Sequence, residues 1–314
     1  MRCIVIGGRG FIGSHLVDAL LAKGYWVRCF DRPHVEPLGD SHRSNPRFEL
    51  VEGDLICESD VREALKDCDY CFHLASTTLP KSSNLDPVFD VETNILGTVR
   101  MLTNAVEVGV KKIVFASSGG TVYGVPCSVP IREDHPTNPL CSYGITKLAI
   151  EKYLYLFRKL HGLDCTALRL SNPFGPRQRT NSSQGVVAVF LGKALRGETI
   201  EIWGNGSIVR DYIYIDDVVS ALMAALEKNT SESVFNIGSG GGHSLNEVLD
   251  AIQRVSCQPT LRAYLPGREF DVPFNQLCIE RAKAELGWEP VIGFEEGIRR
   301  FAEWIKSHEM DDSL

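Results

Sequence analysis

A glycine-rich turn between the first strand and the first helix constrains the fold more than any other feature of the chain. The stretch Cys3–Leu16 reads CIVIGGRGFIGSHL, with four apolar residues, then glycines at positions 7, 8, 10 and 13, then an apolar helical pattern. Glycine weakens regular elements, so four glycines at one turn require a reason. A helix N-terminus presents unpaired N–H groups and partial positive charge, and a phosphate that touches the backbone there is one such reason.

The sequence after this turn indicates which phosphate compound binds. Residues 8–13 match G-x-G-x-x-G, and a second predicted strand ends at Asp31, 18 residues after Gly13. An acid about 20 residues beyond the glycines accepts hydrogen bonds from an adenosine ribose diol and repels a 2′-phosphate. The pattern therefore predicts NAD rather than NADP, although Arg32 slightly weakens this preference because a nearby arginine accommodates the phosphate. A turn that serves only to pack a helix on a strand would not account for Asp31.

Strand-like and helical segments alternate through the first half of the chain. Further strands are predicted within residues 48–54, 70–76, 112–118 and 165–171, with helices between them. This pattern predicts an α/β fold, a Rossmann doubly wound parallel sheet covered on both faces. Ligands of such sheets bind at the carboxyl ends of the strands. The residues predicted at those ends are Gly7–Gly13, Asp31, Asp54, Ala75–Ser76, Ser117–Ser118 and Ser171–Asn172.

The pattern loosens after Pro173, where prolines and glycines become frequent. Helices are predicted at 184–196, 216–227, 245–255 and 294–305, and Ser244 with Glu247 forms a capping box for the third of these. We predict a NAD-binding domain over residues 1–173 and a smaller α/β substrate domain over residues 174–314. The chain is expected to cross between the two domains more than once.

Composition excludes several classes of function. The 314 residues carry a net charge of −7, which argues against nucleic acid as a partner. No apolar run approaches the roughly 20 residues that span a bilayer, and the sequence opens directly on a strand, so we expect no signal peptide and a cytoplasmic location. The pair Cys68 and Cys71 has C-x-x-C spacing, but Cys71 begins an apolar strand. Buried, inert thiols are therefore predicted, with no metal site.

Tyr143 and Lys147 form the candidate catalytic pair. Four residues apart on a helix, they share one face. A lysine ammonium favours the phenolate and lowers the tyrosine pKa from about 10, which makes tyrosine a base near neutral pH. Tyr-x-x-x-Lys is common by chance, and a solvated helix face is the default reading. Its position after the strand that ends in Ser117–Ser118 favours hydride chemistry on a hydroxyl.

These motifs together resemble those of the extended short-chain dehydrogenase/reductases, in the branch of nucleotide-sugar epimerases and dehydratases. The resemblance covers nearly the whole chain. Its residues are Gly7, Gly10, Gly13, Asp31, Asp54-Leu55, His73–Ser76, Asn94, SSGGTVYG (117–124), Tyr143 with Lys147, RLSNPFGPRQ (169–178), RDYIYIDD (210–217), FNIGSG (235–240) and LGWEP (286–290).

The resemblance implies a cofactor site for NAD. Gly7, Gly10, Phe11 and Ile12 would cradle the pyrophosphate, with Gly13 in the same turn. Asp54 and Leu55 would flank the adenine, and Asn94 would lie beside the cofactor or orient Lys147. The remaining residues implied for this site are Asp31, Arg32, Leu74, Ala75, Ser76, Ser117, Tyr143 and Lys147.

The resemblance also implies that a UDP-sugar is the substrate. Asn172 would hold the sugar diphosphate, and Arg210 and Arg268 would bind the phosphates. The residues implied around the nucleoside are Gly185 and Val186 near uridine, Glu201 and Trp203 against the base, and Asp271 on the ribose. Asn275 matches a position that in related epimerases controls which C2 substituent of the sugar fits. A tyrosine there restricts the pocket to UDP-glucose and UDP-galactose, and the smaller asparagine would admit N-acetylhexosamines.

One departure from the family pattern lies at Gly119, where related epimerases carry serine or threonine that hydrogen-bonds the reacting hydroxyl. We expect Thr121 to take this role, with Ser118 as the second choice. The Asp-Glu pair of sugar 4,6-dehydratases falls at Gly120 and Thr121, so dehydration is disfavoured. A UDP-glucuronate decarboxylase would carry glutamate at position 121, which disfavours that reaction as well.

The expected activity is therefore a UDP-hexose 4-epimerase that uses NAD and passes through a transient 4-keto sugar. A UDP-glucuronate 4-epimerase is an alternative, as is a reductase or dehydratase of the same fold. A non-enzymatic NAD-binding protein is a third, minor class, which the loss of serine at position 119 keeps open. The resemblance further implies a homodimer through the helices at Val91–Val108 and Tyr143–Leu160.

Overall fold

A computed structural model of the chain describes residues 1–33, 42, 44–182, 184–267 and 272–309. Its first six strands are β1 Arg2–Ile6, β2 Trp26–Asp31, β3 Phe48–Glu52, β4 Tyr70–His73, β5 Lys112–Ser118 and β6 Asp164–Leu170. Eight shorter strands follow, namely β7 Asn172–Phe174, β8 Ile200–Trp203, β9 Val209–Arg210, β10 Tyr212–Tyr214, β11 Val234–Ile237, β12 His243–Ser244, β13 Arg262–Leu265 and β14 Phe274–Asn275.

Ten α-helical segments connect the described strands. They are α1 Phe11–Ala22, α2 Glu58–Leu65, α3 Pro80–Ser83, α4 Pro87–Asp90, α5 Gly97–Val108, α6 Ser142–His161, α7 Val186–Leu195, α8 Ile215–Glu227, α9 Leu245–Ser256 and α10 Phe294–Glu309. Two segments are π-helical, Val91–Leu96 directly before α5 and Ala282–Leu286 before α10. The helix predicted over 91–108 therefore forms, with its first six residues in the wider π geometry.

The central sheet is parallel and has seven strands in the order β3-β2-β1-β4-β5-β6-β11. This confirms the predicted doubly wound fold. Because side chains alternate along a strand, β1 serves two hydrophobic layers, with Cys3 and Val5 packed on one face and Ile4 and Ile6 on the other. The first layer includes α1 and α8, and the second includes α2, α5 and α6.

The later half of the chain contributes to both parts of the molecule. Strand β11 completes the central sheet beside β6. The remaining late strands form small sheets apart from the main one, β10 with β7, β12-β9-β14, and β13 with β8. The boundary at residue 173 stays a prediction.

Local signals explain several element ends. Ser244 and Glu247 form the predicted capping box of α9. The helix predicted from residue 184 begins instead at Val186, because Gly185 takes a left-handed φ of +85° and serves as its N-cap. The strand predicted over 70–76 ends at His73, so Leu74–Ser76 form a loop at the sheet edge.

The cysteine pair behaves as predicted. Cys68 and Cys71 are buried with free thiols, and burial raises the pKa of Cys68 to about 11 and that of Cys71 well above its ordinary value. Among the described residues no group of His, Cys, Asp and Glu is arranged to hold a metal ion. None of the described helices is both long and apolar enough to cross a membrane.

Candidate active site

Two adjoining cavities lie at the carboxyl edge of the central sheet. We call them the central cavity, with a volume of about 480 Å³, and the edge cavity, with about 220 Å³. Leu74 and Ser76, in the loop after β4, line both. An elongated ligand that passes this loop would therefore occupy both cavities.

Most of the predicted site residues line one cavity or the other. Those at the edge cavity are Gly7, Gly10, Asp31, Arg32, Asp54, Leu55, Leu74, Ala75, Ser76 and Asn94. Those at the central cavity are Phe11, Ile12, Leu74, Ser76, Ser117, Ser118, Thr121, Tyr143, Lys147, Asn172, Gly185, Val186 and Arg210. The fold thus assembles residues that the sequence separates by up to about 200 positions.

The glycine turn is built for close approach of backbone. Gly7 has a φ of +85°, and a Cβ there would lie 2.8 Å from the amide nitrogen of Ala75. A Cβ on Gly13 would lie 2.1 Å from the carbonyl oxygen of Gly7, so Gly13 packs α1 against the turn and lines neither cavity. Helix α1 begins at Phe11 with Gly10 as N-cap, and among the described residues no side chain caps this end and no acid occupies its first turn. Its N–H groups suit a pyrophosphate.

Asp31 is held in place by backbone amides. Its two carboxylate oxygens accept hydrogen bonds from the N–H groups of Arg9 and Arg32, both at 2.9 Å. Burial raises the pKa of Asp31, and these bonds oppose the rise. The Arg9 guanidinium is engaged by Glu52 at 2.7 Å. A second acid thus neutralises an arginine that would otherwise favour a 2′-phosphate, which agrees with NAD.

Asn94 organises the loop after β4. Its Oδ1 accepts from the Thr77 N–H (3.1 Å), and its Nδ2 donates to Thr77 Oγ1 (2.9 Å) and Asp90 Oδ1 (3.0 Å). The hydrogen bonds of the described residues connect Asn94 to this loop and not to Lys147. Of the two roles implied for Asn94, the structure supports a position beside the cofactor site.

Tyr143 and Lys147 both line the central cavity from α6. Lys147 Nζ donates to the Ala116 carbonyl (2.9 Å) and lies 5.5 Å from the centre of the Tyr143 ring. Burial lowers the pKa of Lys147 to about 8, opposed by Asp90 and Glu151.

Burial also raises the pKa of Tyr143 above its ordinary value, and Cys141 and Asp90 add to the rise. The prediction of a Tyr143 pKa below its ordinary value is therefore wrong, because burial raises this pKa and no opposing effect of Lys147 is resolved.

The Gly119 segment explains the departure from the family pattern. Gly119 N–H donates to the Leu170 carbonyl at 2.7 Å, and a Cβ at this position would lie 2.5 Å from Leu277 Cδ1. A side chain at position 119 would thus meet Leu277. The Thr121 hydroxyl, by contrast, is buried and has no hydrogen-bond partner among the described residues, while Thr121 lines the central cavity. This supports Thr121 over Ser118, which lines the cavity as well.

The Ser117 hydroxyl is committed elsewhere. It donates to Glu151 at 2.5 Å, and Glu151 forms a buried ion pair with Arg169 at 2.7 Å. Arg169 also donates to the Tyr123 hydroxyl at 2.8 Å. This buried network stabilises the end of β5. Because the Ser117 hydroxyl takes part in it, a contact between Ser117 and the cofactor would involve other atoms of the residue.

A second wall of the central cavity, which we call the far wall, comes from β7, β10 and the loop before α7, together with Arg210 of β9. Asn172 Nδ2 donates to the Asp211 carbonyl at 2.8 Å, and Arg210 Nη1 donates to the Val272 carbonyl at 2.6 Å. Two polar groups in this wall were not predicted. The Tyr212 hydroxyl and Gln178 Oε1 are buried without a hydrogen-bond partner in the part of the chain that the structure describes. Both residues stand in recognised motifs, but no sequence signal indicates where their side chains point.

Several predicted substrate residues lie apart from the two cavities. Glu201 and Trp203 lie on the exposed face of β8, and Asn275 is buried in β14, where its Nδ2 donates to the Gly119 carbonyl at 3.1 Å. None of the three lines either cavity, and their contacts with substrate stay predictions. Arg268 and Asp271 lie outside the described residues.

The charged side chains that line the central cavity are basic. Lys147 and Arg210 line it, and none of the described residues that line it is an aspartate or a glutamate. The cavity can therefore bind an anionic ligand and exchange a proton through a phenol or an amine. Its described lining residues include no carboxylic acid that would protonate a leaving hydroxyl.

Comparison with known proteins gives concordant results. The profile of the NAD dependent epimerase/dehydratase family matches residues 3–238. A UDP-glucose 4-epimerase of Mycolicibacterium smegmatis is 39% identical over 312 residues, which cover 98% of this chain and 99% of that protein.

Two solved structures agree with this chain along its length. A UDP-glucose 4-epimerase with UDP-glucose from Thermotoga maritima is 38% identical with a TM-score of 0.92, and the match covers 98% of this chain and 99% of that one. A UDP-glucose 4-epimerase of Thermus thermophilus in complex with NAD is 34% identical with a TM-score of 0.89, and the match covers 98% and 100%.

Proposed function

The chain belongs to the NAD dependent epimerase/dehydratase family, and from this premise we propose that it is a 4-epimerase of a UDP-hexose. The observation that carries the proposal is the composition of the central cavity, which combines Tyr143 and Lys147 with no aspartate or glutamate among its described lining residues. Inversion at C4 needs a group that removes and returns one proton. Loss of water needs in addition an acid for the leaving hydroxyl.

NAD is the cofactor, and when bound it supplies a reversible acceptor for a hydride. The chain's own residues fit it. The N–H groups at the start of α1 would hold the pyrophosphate, Asp31 would accept hydrogen bonds from the adenosine ribose, and Asn94 would fix the loop that separates the two cavities.

Tyr143 is the group that moves the proton. As the hydrogen on C4 leaves as a hydride, the phenolate of Tyr143 takes the proton of the C4 hydroxyl, and a C4 ketone results. When the ketone is reduced on the other face of C4, Tyr143 would give its proton back to the C4 oxygen. Substrate and product thus have the same oxidation state.

Two neighbours make this proton transfer practicable. Lys147 carries its ammonium within 5.5 Å of the Tyr143 ring, where a positive charge stabilises the phenolate that burial disfavours. The unpartnered Thr121 hydroxyl is suited to hydrogen-bond the C4 oxygen and to orient it.

The far wall of the central cavity would hold the rest of the substrate. Arg210 is suited to the diphosphate, with Asn172 beside it, because a guanidinium forms charge-assisted hydrogen bonds to phosphate oxygens. Gly185 and Val186 would border the uridine. The sugar itself is proposed to be glucose and galactose or their N-acetylhexosamine counterparts, with UDP-glucuronate as the alternative.

We further propose a homodimer. Apolar side chains lie exposed along the helices that the resemblance assigns to the dimer interface, at Leu96 and, on α6, at Ile145, Leu156 and Leu160. Exposed apolar patches of this kind typically mark contacts with another protein surface. Sedimentation of the purified chain tests this, since a monomer at micromolar concentration would contradict it.

Proton NMR tests the function. Purified protein is incubated separately with UDP-glucose, UDP-N-acetylglucosamine and UDP-glucuronate, first without and then with added NAD, while the anomeric and H4 signals are followed. We expect one or more of these sugars to be inverted at C4 and the Tyr143→Phe variant to leave it unchanged. If all three stay unchanged with NAD present, the proposal fails. A 4-keto-6-deoxy product would indicate a dehydratase instead.

A further inference from the structure

A buried carboxylate, Asp90, lies between the cofactor loop and the catalytic helix. It ends the short helix α4, whose N-cap Asp86 accepts a hydrogen bond from the Phe89 N–H at 2.9 Å. Asp90 is fully buried. Burying a charged group costs free energy unless it is hydrogen-bonded, so its contacts show what keeps it there.

One oxygen of Asp90 faces the cofactor loop. Oδ1 accepts hydrogen bonds from Thr78 Oγ1 and from Asn94 Nδ2, the latter at 3.0 Å. Asn94 in turn accepts a hydrogen bond from the Thr77 N–H through Oδ1 and donates from the same Nδ2 to Thr77 Oγ1, and both residues line the edge cavity. This side of Asp90 therefore fixes the loop that divides the two cavities.

The other oxygen faces the catalytic helix. Oδ2 accepts from Ser142 Oγ and Thr146 Oγ1, both at 2.7 Å. These residues precede Tyr143 and Lys147 directly in the chain and share their spacing of four, so they form the neighbouring row on α6. The rotation of α6 about its axis, which aims Tyr143 and Lys147 into the central cavity, is thus set against Asp90.

The charge of Asp90 also acts on the catalytic pair. All four donors to its carboxylate are neutral, and its negative charge raises the pKa of both Lys147 and Tyr143. The other titratable groups that act on this pair are Glu151 on α6, Cys141 before it, and His73 on β4, whose pKa burial lowers to about 3 so that it stays neutral. Asp90 and Glu151 are therefore the counter-charges of the buried Lys147 ammonium.

We propose that Asp90 is the positioning residue of the reaction, which joins the cofactor loop to α6 and serves as a counter-charge for the Lys147 ammonium. This deepens the proposed epimerase function and rests on it. None of the sequence motifs that led to Tyr143 includes Asp90, and Asp90 does not line either cavity. It therefore acts on the reaction through its hydrogen bonds to Thr78, Asn94, Ser142 and Thr146 and through its charge.

The Asp90→Asn variant tests the proposal, because it keeps the size of the side chain and removes its charge. We expect kcat to fall by about 10²-fold, since small errors in the placement of reacting groups have effects of this size. The KM for the UDP-sugar should change little.

If Tyr143 must lose a proton and Lys147 must keep one, activity depends on pH as a bell. Loss of the negative charge lowers both pKa values, so both limbs move to lower pH by about one unit. If Asp90 had only a structural role, the substitution would lower the maximum of the pH profile without shifting either limb.

The double variant Ser142→Ala, Thr146→Val provides the matched control. It removes both hydrogen bonds that α6 donates to Asp90 and leaves the charge of Asp90 in place. We expect its kcat to fall by roughly tenfold while both limbs stay where they are in the wild type. This variant also tests the positioning role if Asp90→Asn fails to fold, since an unchanged kcat would overturn the proposal.

A second readout needs no activity. The rate at which acetic anhydride modifies Lys147, measured by peptide mass spectrometry across a pH series, follows the unprotonated amine and should have its midpoint near pH 8 in the wild type. We expect a lower midpoint in Asp90→Asn and an unchanged one in the double variant. An unchanged midpoint in Asp90→Asn overturns the counter-charge role. If the wild type is inactive on every UDP-sugar, the proposed function fails while this measurement still decides on Asp90.

Discussion

The edge cavity and the far wall of the central cavity are built in different ways. The edge cavity lies at the ends of adjoining parallel strands, and backbone groups shape it, as at Gly7 and at the two amides that hold Asp31. The far wall comes from two three-residue strands and a loop, and it presents side chains such as Gln178 and Tyr212, whose buried polar atoms have no partner among the described residues. On the proposed function, the first would hold the constant cofactor and the second the sugar nucleotide.

This difference explains why the edge cavity can be predicted from the sequence more fully than the far wall can. A site that is formed by backbone groups requires glycine at fixed positions, and the spacing of these glycines is visible in the sequence. A wall of side chains has no such requirement, because many residues fit a short strand equally well. The predictions below separate the two regions, beginning with the largest effect.

Tyr143→Phe should separate chemistry from cofactor binding most sharply. The substitution removes the hydroxyl that is proposed to accept the proton of the C4 hydroxyl group, so we expect kcat to fall by about 10³- to 10⁴-fold. NAD content, measured by absorbance after denaturation of the purified variant, should equal that of the wild type. Residual activity above a tenth of the wild-type value would mean that another group moves the proton.

Gly7→Ala should break the edge cavity alone. The new Cβ would lie 2.8 Å from the Ala75 nitrogen in addition to the strain of a positive φ. Gly109→Ala is the matched control, since Gly109 has a similar φ of +82° with nothing within 4 Å of the new Cβ. We expect the control to lose about 1–2 kcal/mol of unfolding free energy and to keep its NAD.

Gly7→Ala should lose more stability than the control, together with most of its bound NAD. Thermal melts and NAD content measure both properties. Equal losses in the two variants would show that backbone strain, rather than the close approach to Ala75, accounts for the effect.

Thr121→Val should weaken the chemistry at the border between the two regions. The variant keeps the shape of the side chain and removes the hydroxyl proposed to orient the C4 oxygen. We expect kcat to fall by about 10²-fold, within the range for loss of one catalytic hydrogen bond. Ser118→Ala is the comparison and should change kcat by less than about threefold. The reverse order in initial rates would assign the hydroxyl to Ser118.

Gly119→Ser should fail to restore the family's hydroxyl. Its Cβ would lie 2.5 Å from Leu277 Cδ1 and 3.0 Å from the Arg169 carbonyl oxygen, so we expect a loss of about 1–3 kcal/mol in unfolding free energy and no gain in kcat. Gly120→Ser is the control, because the nearest atom to its Cβ is Ser118 Oγ at 3.9 Å. A stable and faster Gly119→Ser enzyme would contradict the packing of Leu277.

Asp31→Ser should produce the smallest effect and act on cofactor choice. The loss of the carboxylate removes hydrogen bonds to the ribose diol and the repulsion of a 2′-phosphate, with Arg9 and Arg32 nearby. We expect the ratio of NADP to NAD affinity to rise by about tenfold, equivalent to roughly 1.4 kcal/mol. Fluorescence titration with each cofactor measures the ratio, and an unchanged ratio would move cofactor selection to another residue.

How far the sequence predicts this molecule follows the same division. Apolar pattern and spacing predict the parallel sheet, the placement of Gly7, Asp31, Tyr143 and Lys147 at its carboxyl edge, and the burial of Cys68 and Cys71. They do not predict the order of the strands. The predicted direction of the shift in the Tyr143 pKa is wrong, because a sequence shows which residues are neighbours on a helix but gives no measure of their burial.

Other features require the fold itself. Asp90 contacts residues that are 12 positions before it and up to 56 after it, so no local pattern marks it. The meaning of Gly119 depends on Leu277, which only the packing of β14 and the segment after it brings near. Glu201, Trp203 and Asn275 line neither cavity, so their contacts with substrate stay predictions that rest on the resemblance alone.

The fate of the hydrogen on C4 tests the central claim most directly. The protein is incubated with its UDP-sugar carrying deuterium at C4, in ordinary water and with NAD bound, and the C4-inverted product is analysed by proton NMR and mass spectrometry. The account predicts that the deuterium remains at C4 in the product, because the hydride that leaves C4 returns to it while Tyr143 exchanges only the hydroxyl proton. Loss of the deuterium to water, or a product that is not inverted at C4, would contradict it.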